Sequence, residues 1–402
     1  MTHSNPNSEK TSFLSKLFKI ILSPFNNLRT NSSKQKENTE FLETYEINSI
    51  SDLSRILQKL GEPEKGHTRF FRGHGNAGWQ MLPSIYRETY LIENEDKIIK
   101  DALTYCPDDF APGDTLFEKL VKLQHYGYST RLLDLTANAL VALYFTARNE
   151  QHHDKDGELI ILDIPDEKIK YWGSDAVTIL SAISLQHNFI TETKEAIKEA
   201  VINSKVLSKH NKNEILKQAE KPEFSNVNDL LRSVRCVLTA KFIAKHEKEM
   251  GSIKEETYDY EKNVNIFKYS EDFYEDFKSI FNKQGQITKL LQDIRTDKPH
   301  FRPVINPDDL QRVLCVRAKL NNARISRQQG CFLLFGIKDN KTEAAAIPDE
   351  WQRFAPNGQK ILVKNKAAIK KELESFGISE RTLFPELEAQ ATEIMNHYKG
   401  YK

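Results

Sequence analysis

Hydrophobic positions along the chain follow two spacings, one typical of helices and one typical of short buried strands. Apolar residues that recur every three or four positions predict helices over 47–60, 94–103, 115–125, 137–148, 366–376 and 385–398. Short runs of β-branched and aromatic residues bounded by turn residues predict strands over 68–75, 158–164, 313–318 and 331–336. At the helix starts we expect caps from Ser49 or Ser51, from Asp114, and from Asp134 or Thr136.

The order of these elements indicates an α+β fold with a mixed sheet, flanking helices and a large helical insertion. Residues 166–300 are mainly helical by pattern, and strand character returns only after them. An aromatic stripe over 258–282 is more typical of a core than of a base-stacking surface. We therefore divide the chain into a basic amphipathic N-terminal segment with a linker, a first domain part, the insertion, and a second domain part with C-terminal helices: 1–39, 40–165, 166–300 and 301–402.

The N-terminal segment differs in charge from the rest of the chain. Residues 10–36 contain six Lys and Arg residues and no acid. Within 12–28 a helix would place Phe13, Leu17 and Ile21 on one side and lysines on the other. The apolar stretch is shorter than the roughly 20 residues that span a bilayer. A helix on an anionic membrane surface, in the groove of a partner, or docked on its own domain or on a second copy all fit this pattern.

Composition excludes several classes of protein. The chain has 58 Lys and Arg against 57 Asp and Glu, so no overall field of one sign favours nucleic acid. The four cysteines are scattered without a CxxC pair, which argues against a disulfide framework and against a zinc site. We therefore expect no metal and a reducing, cytoplasmic location, with peripheral membrane contact through 12–28 as an option.

Five motifs occur in a fixed order along the chain. The first three are Phe71-Arg72-Gly73-His74, Trp79-x-x-Leu82-Pro83-Ser84-x-x-Arg87, and Gln124-His125-Tyr126-Gly127-x-x-Thr130-Arg131-Leu132-Leu133-Asp134-x-Thr136-x-Asn138. The later two are Asn322-x-Arg324-Ile325-x-x-Gln328-x-Gly330-x-Phe332 and Gly377-Ile378-x-x-x-Thr382-Leu383-Phe384-Pro385-x-Leu387-Glu388. Together they resemble the FRG domain, a bacterial and phage-associated family named for its Phe-Arg-Gly element. The resemblance runs from about residue 69 to 390 and leaves 165–300 unmatched.

The first motif suits a phosphate. Arg72 lies beside Gly73 at the end of a predicted strand, where a guanidinium and nearby backbone N–H groups can hold phosphate oxygens. A strand-borne aromatic-Arg-Gly element is also similar to the first motif of mono-ADP-ribosyltransferases, in which an arginine grips the phosphates of NAD. This similarity implies an ADP-ribosyltransferase-like fold and NAD as the favoured cofactor.

The remaining motif residues complete the predicted pocket. We expect Arg72, His125, Arg131 and Gln328 to act in catalysis, with Gln328 contacting a ribose. We expect the cofactor to be bound by Arg72, Gly73, His74, Tyr126, Thr130, Asp134 and Arg324. Structural readings stay open beside these, because Arg131 and Asp134 could form an ion pair before a buried helix.

The chain departs from the transferase pattern in one respect. No Glu-x-Glu or Gln-x-Glu lies on a late strand, and only Gln328-Gln329 stands where an acid is expected. The resemblance therefore implies a bacterial toxin or antiphage effector with a divergent site. Its target would be a macromolecule, and a regulatory partner protein or a homo-oligomer would restrain it. The alternative is a non-catalytic sensor module of a defence system that recognises a nucleotide, a protein or a nucleic acid.

Overall fold

A nine-stranded mixed sheet organises the protein. The computed structural model describes residues 45–205, 207, 209–219, 272–320 and 322–399. The strands are β1 (Glu46–Ile47), β2 (His67–His74), β3 (Leu132–Thr136), β4 (Gly157–Pro165), β5 (Ile169–Tyr171), β6 (Val313–Arg317), β7 (Gly330–Phe335), β8 (Gln352–Arg353) and β9 (Ile361–Val363). The predicted N-terminal helix lies outside the described residues.

Helices of the described part connect and cover these strands. The early helices are α1 (Ile50–Leu60), α2 (Thr89–Glu93), α3 (Glu95–Tyr105), α4 (Leu116–His125), α5 (Ala139–Ala147) and α6 (Asp175–Ala182). They are followed by α7 (Thr193–Asn203), α8 (Lys209–Ala219), α9 (272–281), α10 (Gly285–Asp297) and α11 (Pro307–Leu310). The last are α12 (Ala323–Arg327), α13 (Lys366–Ser375), α14 (Glu380–Leu383) and α15 (Leu387–Lys399). None of the described helices is long and apolar enough to cross a membrane.

The strand order is β1-β9-β4-β2-β3-β7-β6-β5, and β8 also pairs with β4. Two neighbouring pairs, β1 with β9 and β5 with β6, are parallel, and the other pairs are antiparallel. The predicted α+β class with a mixed sheet is therefore confirmed. Parallel neighbours need a crossover connection, and the chain between β5 and β6 supplies it with helices α6 to α11.

Alternating side chains give the sheet two apolar faces. Phe70 and Leu133 belong to a core cluster on one face, which Trp351 covers. Phe71 belongs to a cluster on the other face, where α1, α5 and α13 pack, and Leu132 belongs to the cluster under α4 and α6. Successive residues point to opposite faces of a strand, so this division follows from the sequence pattern.

Two of the predicted helix caps prove wrong. Ser49 does cap α1, since its side chain accepts a hydrogen bond from the backbone N–H of Asp52. Helix α4, however, is capped by Thr115 and not by Asp114, and Thr115 forms a capping box with Glu118. For α5 the cap is Asn138, because the residues before it form strand β3 and cannot enter the first helical turn.

The aromatic stripe is core, as predicted, where the structure describes it. Phe273, Phe277 and Phe281 on α9 are at most 3% exposed. They belong to the large cluster between the sheet and helices α6, α7 and α10. Residues 258–271 of the stripe lie outside the described residues.

Gly73 permits the closest approach of a helix to the sheet. A Cβ atom added at this position would overlap the Ala142 carbonyl oxygen and the Thr146 hydroxyl of α5. Helix α5 can therefore pack on β2 only because residue 73 has no side chain. The glycine of the Phe-Arg-Gly element thus has a packing role.

Candidate functional site

The candidate site lies where the sheet splits between β2 and β3. These strands share one ladder pair, Phe71 with Thr136, whereas β2 pairs with β4 along its whole length. Beyond the shared pair the Arg72 side chain reaches β3, and its Nη1 donates to the Asp134 carbonyl oxygen at 2.6 Å. A guanidinium thus satisfies a carbonyl group that a backbone N–H would bind in a continuous ladder.

A cavity of about 330 Å³ opens beside this split. Three arginines from three separate elements line it: Arg72 on β2, Arg148 at the end of α5, and Arg324 on α12. Asp134 on β3 supplies a carboxylate, and Trp79 supplies an aromatic wall that is 42% exposed. The volume lies at the lower end of the range for small-molecule sites, so the cavity suits an anionic ligand or part of one.

Arg72 offers a charge that no carboxylate neutralises directly. Burial lowers the pKa of Arg72 to about 10, although the nearby Asp134 charge acts in the opposite direction. The side chain is therefore still cationic at neutral pH. Its Nε donates to His74 Nε2 at 3.0 Å, and its Nη1 donates to a carbonyl oxygen. Since both acceptors are uncharged, the Arg72 cation can attract an anion.

The other two arginines share one aromatic support. The guanidinium carbons of Arg148 and Arg324 lie 4.1 and 4.4 Å from the centre of the Phe384 ring. These distances are typical of cation–π contacts, and Phe384 is itself buried and fixed. Burial lowers the pKa of Arg324, with the Glu386 charge opposing the shift. Phe384 therefore holds two cations at the same side of the cavity.

A chain of hydrogen bonds orients the carboxylate of the cavity. The Thr130 hydroxyl donates to Gln124 Oε1, and Gln124 Nε2 donates to Asp134 Oδ2 at 2.8 Å. Thr130 is fully buried, and it also accepts a bond from the backbone N–H of Leu132 at 3.2 Å. Thr130 therefore acts on the site through Gln124.

The family model of the FRG domain matches residues 67–155. The chain carries an FRG domain. The matched FRG segment includes Arg72, Asp134 and Arg148, whereas Arg324 and Phe384 lie beyond it. No curated protein and no solved structure matches the chain.

Several residues predicted for the site come together in this cavity, which is lined by the FRG segment and by residues beyond it. Those that line it are Arg72, Gly73, His125, Asp134, Arg324 and Gln328. His125 Nε2 lies 2.7 Å from Glu386 Oε1, and burial, followed by the Arg324 charge, lowers the His125 pKa. Gln328 Nε2 donates to the Leu383 carbonyl oxygen at 3.2 Å.

Two other predicted residues lie away from the cavity. Arg131 is fully buried, and its Nε donates to Glu95 Oε1 at 2.9 Å, so it belongs to the core beneath the FRG strands. Its partner is therefore Glu95 on α3, and the ion pair with Asp134 that the sequence left open is not formed. Tyr126 is 65% exposed and lines a separate cavity of about 350 Å³.

His74 is a buried neutral histidine behind Arg72. It is 2% exposed, and burial, reinforced by the Arg72 charge, lowers its pKa to about 3. Since Nε2 accepts the Arg72 bond, the proton of the neutral ring is assigned to Nδ1. His74 thus supports Arg72 from within the FRG domain.

His74 should make the protein sensitive to acid. The unfolded chain binds a proton near pH 6.5, whereas the folded chain resists protonation down to about pH 3. Stability should therefore fall as pH drops below about 6.5, by up to about 1.4 kcal/mol per pH unit from this group. A His74→Gln variant keeps a hydrogen-bond acceptor for Arg72, and its stability should no longer show the pH dependence that His74 causes. Urea unfolding from about pH 7 to about pH 5 checks it, and parallel profiles would contradict the assignment.

The cavity is also lined by residues that the predicted site does not include: Trp79, Arg148 and His152. Trp79 is partly exposed at the cavity wall, and His152 also lines the cavity. Their rings meet edge to face with centroids 5.0 Å apart. Arg148 follows the last residue of a buried helix, where a charged residue is common, so the sequence does not indicate it as a phosphate ligand. Among the described residues no group of His, Cys, Asp and Glu side chains could hold a metal ion.

Proposed function

We propose that the cavity binds the phosphates of a nucleotide, with NAD as the favoured ligand. We further propose that the protein is a bacterial toxin or antiphage effector that transfers ADP-ribose to a macromolecule. The observation that carries this proposal is the convergence of Arg72, Arg148 and Arg324 on one cavity that also holds Asp134. Guanidinium groups bind phosphate oxygens through paired, charge-assisted hydrogen bonds, so three of them favour a pyrophosphate.

The rest of the ligand would meet the other walls. Trp79 presents a partly exposed ring beside His152, which suits an aromatic base or nicotinamide. Gln328 lines the same cavity and has an amide group for a ribose hydroxyl. These contacts would fix the ligand on both sides of its phosphates.

Asp134 would act at the reacting centre. In ribosyl transfer the bond between ribose C1′ and the nicotinamide nitrogen breaks, and its electron pair leaves with neutral nicotinamide. A carboxylate stabilises the positive charge that develops on the ribose. A nucleophile of the target then bonds to C1′ and gives up its proton, for which Asp134 is a suitable acceptor. This role replaces the late glutamate that the sequence lacks.

The biological setting belongs to the same proposal. The FRG domain supports an effector of bacterial defence or toxicity in the cytoplasm, with a macromolecular target that is still to be identified. A regulatory partner or self-association would restrain it, and the basic residues of 12–28 would provide contact with a membrane surface.

Calorimetric titration with NAD, combined with a nicotinamide-release assay, tests this function. We expect NAD to bind, and label from its ADP-ribose part to appear on a macromolecule of a bacterial lysate. An Asp134→Asn variant should still bind NAD but release no nicotinamide. Binding without turnover by the wild type would favour the sensor module, and absence of binding would overturn the proposal.

A further inference from the structure

The C-terminal segment 379–386 contacts the cavity arginines from outside the FRG match. Glu380 accepts two bonds from Arg148, from Nε at 2.9 Å and from Nη2 at 2.6 Å. This is the bidentate geometry in which a guanidinium binds a phosphate. The side chains of Arg148 and Glu380 are 40% and 33% exposed, so the pair is open to competition from solutes.

A second carboxylate of this segment faces the other arginine. Glu386 Oε1 lies 3.9 Å from Arg324 Nη1 and 2.7 Å from His125 Nε2. Both Glu386 carboxylate oxygens are buried, and their close polar neighbours among the described residues are His125 Nε2 and Arg324. Such a carboxylate is poorly solvated, so its position depends on its contacts with His125 and Arg324.

Further contacts hold the segment beside the cavity: the Tyr144 hydroxyl donates to Glu380, and Leu383 and Phe384 are buried in the core. Gln328 Nε2 donates to the Leu383 carbonyl oxygen, and Phe384 lies under Arg148 and Arg324. The segment therefore acts on both outer arginines at once. Arg72, in contrast, forms no ion pair within 4.0 Å among the described residues, so its charge is not compensated in the same way.

We propose that Glu380 and Glu386 are internal competitors for the arginines and determine which anions the cavity accepts. This inference rests on the proposed binding of phosphates in the same cavity. A ligand with one phosphate can use Arg72 alone. A ligand with two phosphates can also displace a carboxylate from Arg148 or Arg324, and it recovers the lost ion pair with its second phosphate. The two glutamates therefore weaken the binding of a two-phosphate ligand, which has to displace one of them, more than the binding of a one-phosphate ligand on Arg72.

Charge-neutral variants of the two glutamates test the inference. The probes are NAD, with two phosphates, and nicotinamide mononucleotide, with one, titrated into the full chain. We expect Glu380→Gln combined with Glu386→Gln to bind NAD at least about fivefold more tightly, because the ion pair no longer has to be broken. The mononucleotide, which uses Arg72 alone and breaks no ion pair, should gain less, so the preference for NAD widens. Glu374→Gln, an exposed charge on α13, is the matched control and should change neither affinity.

Hydrogen exchange on the wild-type protein tests the inference even if the double variant does not fold. Hydrogen exchange of the backbone amides in 379–386 should become faster when NAD is added, since displacing a carboxylate removes one of the contacts that hold the segment. Weaker NAD binding by the double variant, or slower exchange, would mean that the glutamates position the arginines, and the inference would fail. In that case NAD binding by the wild type would leave the proposed function standing. If NAD binds neither the wild type nor the double variant, both proposals are overturned.

Discussion

Replacing Glu95 by Gln should lower the free energy of unfolding by about 3–5 kcal/mol. Glu95 is fully buried and holds Arg131, which is also fully buried, together with Lys341 Nζ at 3.3 Å. Burial acts to lower the pKa of Arg131, but Glu95 outweighs it and the pKa is raised. Burial lowers the pKa of Lys341 despite Glu95. Without the carboxylate, two buried cations would face each other with no counter-charge in direct contact, since Asp96 acts on Lys341 only from a greater distance.

The matched variant is Arg131→Met, which should cost less than Glu95→Gln. It removes one cation but leaves Glu95 paired with Lys341, and the methionine fills part of the volume. Urea unfolding followed by circular dichroism measures both variants. The double variant should lose less than the sum of the two single losses, because the partners are in direct contact. Equal stabilities for wild type and Glu95→Gln would show that this cluster does not carry its charges in the folded state.

The role of Arg131 illustrates what the sequence could and could not predict. The sequence places its motif directly before a helix, with Asp134 or Thr136 as the predicted cap, whereas residues 132–136 form β3. Alternation along a strand sends Thr130 and Asp134 to one face and Arg131 to the other. A strand at this position therefore places Arg131 and Asp134 on opposite faces of the sheet, which excludes an ion pair between them. The actual partner of Arg131, Glu95, lies 36 residues away on α3, and no local pattern indicates that pairing.

Local patterns predicted the fold where the hydrophobic signal was strong. The strands near 68–75 and 158–164 and the helix near 137–148 are present, because long apolar runs with clear turn residues leave few alternatives. The short strands β1, β8 and β9 were missed. Each has two or three residues and is held by its neighbours in the sheet, so its own sequence carries little preference.

The candidate site was predictable in its centre and not at its edge. The Phe-Arg-Gly element predicts Arg72 as a phosphate ligand. The structure brings the predicted residues Arg324 and Gln328 to the same cavity. Glu380 and Glu386 fall at positions that the C-terminal motif leaves unspecified. Contacts such as that of Arg148 with Glu380 span 232 residues, and only the folded chain reveals them.

Replacing Arg72 by Ala should weaken NAD binding by about 10- to 100-fold, since charge-assisted hydrogen bonds are worth about 1.5–3 kcal/mol. Arg72 is the cavity arginine whose present acceptors, the Asp134 carbonyl oxygen and His74 Nε2, are uncharged. An incoming phosphate therefore does not have to displace a carboxylate from it. Arg72→Lys keeps the charge but not the planar fork, so its affinity should lie between those of Arg72→Ala and the wild type.

Titration calorimetry measures the NAD affinity of each variant, and thermal unfolding shows whether a change of affinity reflects a loss of folded protein. Arg302→Ala, an exposed arginine outside the cavity, is the control for loss of a positive charge and should bind NAD as the wild type does. A folded Arg72→Ala protein with unchanged affinity would exclude Arg72 as a phosphate ligand. If Arg72→Ala and Arg72→Lys both unfold at much lower temperature, the bond to the Asp134 carbonyl oxygen is what matters, and Arg72 closes the split between β2 and β3. Graded affinities at an unchanged melting temperature require that the guanidinium of the Phe-Arg-Gly element contacts the ligand.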